Sequence, residues 1–280
     1  MRSLQIGHMA ILVIALSGCG KKSATPVAEN RPSPVASIPN PETTVAEKSP
    51  SDEMARLHQP FGDAVLIQHP GNQQLPPDRT MAGLSTVRLR MEVERQWDTI
   101  RFVDAKGKPI VYLATINSDF GTFRVQLRPE VAPNHVRNFV ALANASYYNG
   151  LSFEHLISQD GDGPDSHLEM VEAGCPLGTG EPGIGHLGYW LRPEVDETLT
   201  HQPGSFGAYH DDEPETAACR FYITLTNAPA MDGNYTVFGQ VVEGLDVVRT
   251  ISKLPKVAGS FQPEKPAMIR NVTIETHEVR

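Results

Sequence analysis

The sequence predicts a mainly β domain, closed into a barrel and capped by helices, and three observations predict it. From residue 99 onward, short runs rich in β-branched and aromatic residues recur between turn residues. Only two stretches of this region have apolar residues at helical spacing. One follows the first strands and the other lies near the end, which suits helices that cover a barrel better than helices that alternate with strands.

The predicted strands cover residues 99–103, 110–116, 121–127, 152–157, 168–173, 221–225, 236–242 and 268–275. The first two are separated by DAKGK, whose Gly107 suits a hairpin turn. The stretch GTFRVQL alternates between apolar and polar residues, as a strand with one buried face does.

The first predicted helix begins at Ala132-Pro133-Asn134, because proline is favoured in the first turn of a helix. Its apolar face carries Val136, Phe139, Val140 and Ala143. The second helix covers residues 245–254, with Leu245, Val248 and Ile251 on one side.

Charge and length limit the classes of function. The chain has 280 residues and a formal net charge of -9, so we expect no nucleic-acid partner, because like charges repel. A body of this size buries enough surface to fold without disulfides. We expect a monomer with no cofactor and no metal; Asp160, Asp162 and Asp165 do not follow the pattern of a calcium loop.

The first residues predict export and a lipid anchor. MRSLQIGHMAILVIALSGC combines Arg2 with an apolar stretch that is too short to span a bilayer as a mature helix. Its end, Leu16-Ser17-Gly18-Cys19, resembles the lipobox of bacterial lipoproteins, which implies lipidation of Cys19 and attachment to a membrane. The alternative is an ordinary or uncleaved signal peptide.

We divide the chain into four parts. Residues 1–19 form the signal peptide with the lipobox Cys, and residues 20–60, rich in proline and small polar residues, form a disordered tether. Residues 61–98 are an extension of unknown role, with RLRMEVERQWDTI as its only regular stretch, and residues 99–280 form the barrel domain.

The barrel domain resembles the cyclophilin family of peptidyl-prolyl isomerases. The stretches that carry the resemblance are GTFRVQLRPEVAPNHVRNFVALANASYYNGLSFEH, GCPLGTGEPGIGHLGYW and CRFYITLTNAPAMDGNYTVFGQVVEGLDVV, in that order. The resemblance implies an eight-stranded barrel with a helix at each end and an apolar groove that holds a proline. It also implies an isomerase that acts on proline-containing segments, here those of exported proteins.

The chemistry of such an enzyme requires no covalent step. Rotation about an X–Pro bond crosses a barrier of about 18–20 kcal/mol because the amide has partial double-bond character. A pocket for the proline ring and a donor to the imide nitrogen suffice to favour the twisted amide. In cyclophilins the donor is an arginine.

The catalytic position departs from the family. Phe153-Glu154-His155 stands where the family has Phe-His-Arg, so His155 takes the position of the arginine. Arg220 stands where the family has a glutamine, and we weigh it as a surrogate donor that Glu172 orients. The alternative is that His155, Glu169, Glu172 and Arg220 form a charged surface cluster with no catalytic role.

The resemblance also implies which residues hold the substrate. They are Met170, Glu172, Phe221, Tyr222, Met231, Tyr235, Tyr209 and His210. Glu169 replaces a pocket phenylalanine of the family, and Tyr222 adds a hydroxyl to a pocket phenylalanine. We interpret His201 as a surface or packing residue.

Three functions stay open at this stage: a lipid-anchored isomerase weakened by His155, a non-catalytic module that binds proline-containing segments, and a chaperone-like lipoprotein that binds through residues 61–98. We expect Cys175 and Cys219 to be buried thiols, with a disulfide as the alternative.

Overall fold

The structure, a computed structural model, describes residues 57–68, 70–160 and 167–278. In chain order its elements are α1 (Phe61–Ala64), β1 (Val65–Leu66), α2 (Thr86–Trp97), β2 (Ile110–Ser118), β3 (Gly121–Leu127), α3 (Pro133–Asn144), β4 (Ser152–Gln159), β5 (Leu168–Ala173), β6 (Trp190–Leu191), β7 (Ser205–Ala208), β8 (Phe221–Thr224), β9 (Val237–Glu243), α4 (Leu245–Ser252) and β10 (Ala267–Glu278).

Eight of these strands form a closed antiparallel barrel, which confirms the predicted fold. Their order around the barrel is β10-β2-β3-β9-β7-β8-β5-β4, and β10 pairs with β4 to close it. In β3, Phe123, Val125 and Leu127 are buried while Arg124 and Gln126 between them are not. Side chains of successive strand residues point to opposite faces, so this alternation fills the barrel interior from one face of each strand.

Both predicted helices are present and pack on the barrel. Helix α3 begins at Pro133, and the Glu194 carboxylate accepts hydrogen bonds from the main-chain N–H groups of Asn134 and His135 at 3.0 and 2.9 Å. These bonds satisfy two donors that a helix start otherwise leaves without partners. Helix α3 packs against β9 and β10, and α4 packs against β3, β4 and β5.

The strand predicted at residues 99–103 is wrong, although the turn after it is present. Only Val103 makes a bridge, to Pro109. The Asp104 side chain accepts the N–H groups of Lys106 and Lys108 at 2.7 and 2.8 Å, and this closes the turn. Among the described residues, no strand pairs with residues 99–102, although the main-chain oxygen of Phe102 accepts the N–H of Ile110 at 2.8 Å. Their β-branched residues alone therefore do not make a strand.

Residues 57–98 are part of the folded body rather than a separate extension. In α2, Leu89, Val93 and Trp97 are buried in the main hydrophobic core, and α2 packs against α3. Residues just before the predicted tether boundary at residue 60 also contact this body: the main-chain oxygen of Leu57 accepts a hydrogen bond from Arg137 at 2.7 Å, and that of Gln59 accepts one from Trp97 at 2.8 Å.

The signal peptide, Cys19 and most of the predicted tether lie outside the described residues. Within residues 57–278, apart from the gaps given above, no helix is both long and apolar enough to cross a membrane.

Candidate functional site

The candidate site lies on the outer face of the barrel, where three strands carry a row of polar side chains. Antiparallel pairing places His155 of β4 opposite Glu172 of β5, and Glu172 opposite Tyr222 of β8. The row continues to Gly207 of β7. Because the strands are neighbours, side chains far apart in sequence become adjacent on one surface.

An apolar cluster lies beside this row. Met170, Tyr222, Ala228 and Met231 are buried against one another, separate from the main core. Tyr235 and Tyr209 are partly buried and pack on the same cluster, together with Ile157 and Leu168. The sequence prediction that Met170, Tyr222 and Met231 lie together is thus met by the fold, and the cluster has the apolar and aromatic character that suits a proline ring.

Tyr235 and His210 form an aromatic wall next to the cluster. Their rings are stacked, with centroids 4.1 Å apart and planes 16° apart. Tyr235 also meets Tyr222 edge to face, with a centroid distance of 5.8 Å. The two predicted substrate residues therefore support each other and the apolar cluster.

Phe221, which we expected to bind substrate, lies on the other side of the barrel wall. It is part of the main core and its ring contacts Phe139, Tyr148 and Phe206. The reason is strand alternation: Tyr222 faces outward, so its neighbour Phe221 faces inward.

A buried ion-pair network lies under the rim of the site. Nε of Arg220 donates to Oε1 of Glu154 at 3.0 Å, and Nη2 donates to Oε2 of Glu172 at 2.8 Å. The Arg220 side chain is only 1% exposed, and Glu154 and Glu172 are 0% and 3% exposed. The pairing of Arg220 with Glu172 follows the expectation, but the predicted surface cluster is wrong because these groups are buried.

Tyr209 and Gly185 enclose Arg220. The guanidinium carbon lies 3.5 Å from the centroid of the Tyr209 ring, a cation–π contact. A Cβ on Gly185 would stand 2.5 Å from Cδ of Arg220, so only glycine leaves room for this side chain. Arg220 therefore lies behind Tyr209 and does not present its guanidinium to the outer surface.

Burial sets the electrostatics of the network. Desolvation raises the pKa of Glu154 to about 7, although Arg220 opposes the shift. For Arg220, burial disfavours the charge, but Glu154 and Glu172 outweigh it and the pKa is raised. Nη1 of Arg220 and Oε2 of Glu154 are buried and have no hydrogen-bond partner among the described residues.

His155 is the member of the network that reaches solvent. Its side chain is 21% exposed, and Nδ1 lies 2.8 Å from the same Oε2 of Glu172 that accepts from Arg220. A carboxylate only accepts, so Nδ1 carries a proton and donates it. In the neutral imidazole Nε2 is then an acceptor, and only the imidazolium offers an N–H at Nε2.

Sequence reasoning did not foresee the role of Glu154 or the place of Glu169. The pairing of β4 with β5 shifts between Phe153 and His155, so Glu154 and His155, adjacent in sequence, both reach the network. Glu169 is not a member: its Oε1 accepts a hydrogen bond from Ser252 at 2.7 Å. The shift in register has no signal in the sequence.

His201 and Asp232 were also missed as parts of the site. His201 is buried, and its ring joins Asp232 to the hydroxyl of Tyr222 through two contacts of 2.7 Å. The only signal in the sequence was the presence of the two residues. The histidine was considered only as a zinc ligand, a role that its spacing does not suit.

Cys175 and Cys219 are both free and buried, as expected of packing thiols. Burial raises the pKa of Cys219, and its Sγ accepts a hydrogen bond from the hydroxyl of Tyr147 at 3.0 Å. The disulfide alternative is not realised in the structure.

Comparison with known proteins places these features in context. Residues 111–276 match the family described as "Cyclophilin type peptidyl-prolyl cis-trans isomerase/CLD". Peptidyl-prolyl cis-trans isomerase-like 3 of Gallus gallus is 32% identical over 163 residues, which cover 58% of this chain and 96% of that protein. Peptidyl-prolyl cis-trans isomerase-like 1 of Aspergillus fumigatus is 30% identical over 159 residues, 57% of this chain and 93% of that protein.

A solved structure gives the same fold. The cyclophilin-type peptidyl-prolyl cis-trans isomerase of Cryptosporidium parvum, solved in the presence of the dipeptide Ala-Pro, matches with a TM-score of 0.51 and 23% identity. The match covers 59% of this chain and 99% of that one.

Proposed function

Since the chain belongs to the family of cyclophilin-type peptidyl-prolyl cis-trans isomerases, we propose that it catalyses slow isomerisation of X–Pro bonds. The single observation that carries the proposal is the apolar cluster of Met170, Tyr222 and Met231 beside the row of His155, Glu172 and Tyr222. The cluster holds the proline ring, and the imidazolium of His155 donates to the imide nitrogen.

The proposed chemistry follows from what the reaction needs. When the amide twists, its nitrogen loses conjugation and becomes able to accept a hydrogen bond. A donor that reaches this nitrogen stabilises the twisted state more than either planar isomer, which is what accelerates rotation. Glu172, held by Arg220, keeps the imidazole of His155 in one orientation.

The same geometry supports weak activity. Nδ1–H of His155 is committed to Glu172, so the neutral ring has no second N–H to offer. Loss of a positioned charged donor reduces a rate by roughly 10²–10³-fold. We therefore expect the kcat/KM of the wild type to be low.

A comparison of variants tests the proposal. Exchange between the cis and trans forms of an Ala-Pro peptide is measured by NMR, which needs no protease. We expect kcat/KM of His155→Gln to fall below that of the wild type, because a neutral amide replaces the imidazole that can carry a charge. Equal rates for the two proteins would contradict the role of His155.

A second candidate function is binding of proline-containing segments without catalysis. The observation that favours it is the burial of Arg220 behind Tyr209, which leaves the groove without a permanently charged donor. This candidate predicts that the wild type binds an Ala-Pro peptide at every pH and accelerates its isomerisation at none.

We also propose that the clients are exported proteins and that Cys19 anchors the chain to a membrane. The support is the stretch Leu16-Ser17-Gly18-Cys19 after a short apolar run. Expression in a bacterial host with labelled palmitate tests it: the wild type should be labelled and enter the membrane fraction, and Cys19→Ala should do neither. Label in Cys19→Ala would contradict the assignment.

A further inference from the structure

We infer that His201 and Asp232 are positioning residues that hold the proline pocket in shape through Tyr222, an inference that rests on the proposed function. No sequence motif or comparison assigns them a role. Neither residue is a partner of Arg220, whose side chain bonds to Glu154 and Glu172.

The three side chains form one hydrogen-bonded chain. Oδ1 of Asp232 lies 2.7 Å from Nδ1 of His201, and Nε2 of His201 lies 2.7 Å from the hydroxyl of Tyr222. The Asp232 carboxylate accepts, so Nδ1 carries a proton, and in the neutral imidazole Nε2 accepts from the hydroxyl. Both imidazole nitrogens and the phenol oxygen thus take part in the hydrogen bonds of this chain.

His201 also holds the segment that carries the rest of the pocket. Its main-chain N–H donates to Oδ1 of Asp232 at 2.7 Å, and its main-chain oxygen accepts the N–H of Ala228 at 3.0 Å. Ala228 and Met231 line the apolar cluster, and Asp232 follows Met231 directly. His201 therefore joins the strand that bears Tyr222 to the segment that bears Ala228 and Met231.

The position of the Tyr222 ring leaves no other place for its hydroxyl. A Cβ on Gly207 would stand 2.2 Å from the hydroxyl, so the ring lies directly against the main chain of β7. Tyr222 is fully buried. Without the acceptor on His201, the hydroxyl is a buried donor with no partner, and the ring must turn or admit water to satisfy it.

A double-mutant experiment separates positioning from simple stabilisation. Affinity for an Ala-Pro peptide is measured by calorimetry for the wild type, Tyr222→Phe, His201→Phe and the double variant, with circular dichroism to show that each is folded. We expect His201→Phe to bind about tenfold more weakly, because a buried hydroxyl loses its acceptor. The double variant should bind within about threefold of Tyr222→Phe, because neither contains an orphan hydroxyl.

The outcomes are distinct. A role in stability alone would lower the melting temperature of His201→Phe and leave the affinity of the folded protein unchanged, which overturns the inference. If His201→Phe does not fold, the double variant decides: affinity equal to that of Tyr222→Phe supports positioning through the hydroxyl, and a tenfold deficit overturns it. A wild type that does not bind the peptide overturns the proposed function and this inference together, whereas equal binding by all four overturns only the inference.

Discussion

The ring of Tyr209 lies over the guanidinium of Arg220, with 3.5 Å between the guanidinium carbon and the ring centroid. A cation–π contact of a desolvated guanidinium contributes about 1–2 kcal/mol. We therefore expect Tyr209→Leu to lower the free energy of unfolding by about that amount in urea denaturation. Tyr209→Phe keeps the ring and is the matched control. Equal stability of the two variants would show that the contact contributes nothing.

Arg220 should be far more important for stability than an exposed arginine. Replacement by Met leaves the buried Glu154 and Glu172 without the guanidinium that pairs with both, which costs about 3–5 kcal/mol. Arg95 pairs with Glu92 on the surface of α2, so Arg95→Met is the control and should cost far less. Denaturant unfolding measures both; similar losses in the two variants would refute the description of the network.

Glu154 should make stability depend on pH. Its pKa is about 7 in the folded chain, above the ordinary value, so the folded state binds more protons than the unfolded state between pH 4.5 and 7. Stability of the wild type relative to Glu154→Gln should then fall as the pH rises across this window, by at most about 1.4 kcal/mol per pH unit. Denaturation at several pH values measures the difference. A difference that is constant, or that grows with pH, would contradict the shift.

Replacement of His155 by Arg should increase activity. A guanidinium is charged at every accessible pH and has donors to spare after pairing with Glu172. At pH 8 we expect kcat/KM to rise by roughly 10²–10³-fold. His155→Lys is the control. Its ammonium group is charged but lacks the planar set of N–H donors of a guanidinium, so kcat/KM should rise less. If His155→Arg is no faster than the wild type at pH 8, the missing charged donor does not limit the rate.

Trp97 should show that α2 belongs to the folded body. Its side chain is fully buried in the core, so Trp97→Ala should lower the free energy of unfolding by about 3–5 kcal/mol. Val87 lies on the exposed face of the same helix, and Val87→Ala should change stability by less than about 0.5 kcal/mol. A mild effect of Trp97→Ala would mean that residues 57–98 form a separable extension.

The barrel was predictable because its signals are local and repeated. Strand alternation in residues 121–127 and the proline that begins α3 each specify their element without reference to distant parts of the chain. The strand predicted at residues 99–103 failed for the opposite reason, since a strand needs a neighbour and the sequence does not state which segments pair.

The site was predictable in part. Family positions predicted that Met170, Tyr222 and Met231 lie together, and the structure brings them to one cluster. They also predicted Phe221, the neighbour of Tyr222, but neighbouring residues of a strand face opposite sides.

The sequence did not show that the charged residues of the site are buried. Arg220, Glu154 and Glu172 look like surface residues by composition, since charged side chains are almost never fully buried unless paired. Their pairing depends on the register shift near His155 and on the absence of a side chain at Gly185. Both are features of three-dimensional packing.

The alternation of Phe221 and Tyr222 has an evolutionary consequence. These two adjacent residues are under different constraints, because Phe221 packs in the barrel interior and Tyr222 packs in the apolar cluster on the outer face. Selection can therefore change the outward-facing residues of this strand, one substitution at a time, while the inward-facing residues and the barrel fold are retained.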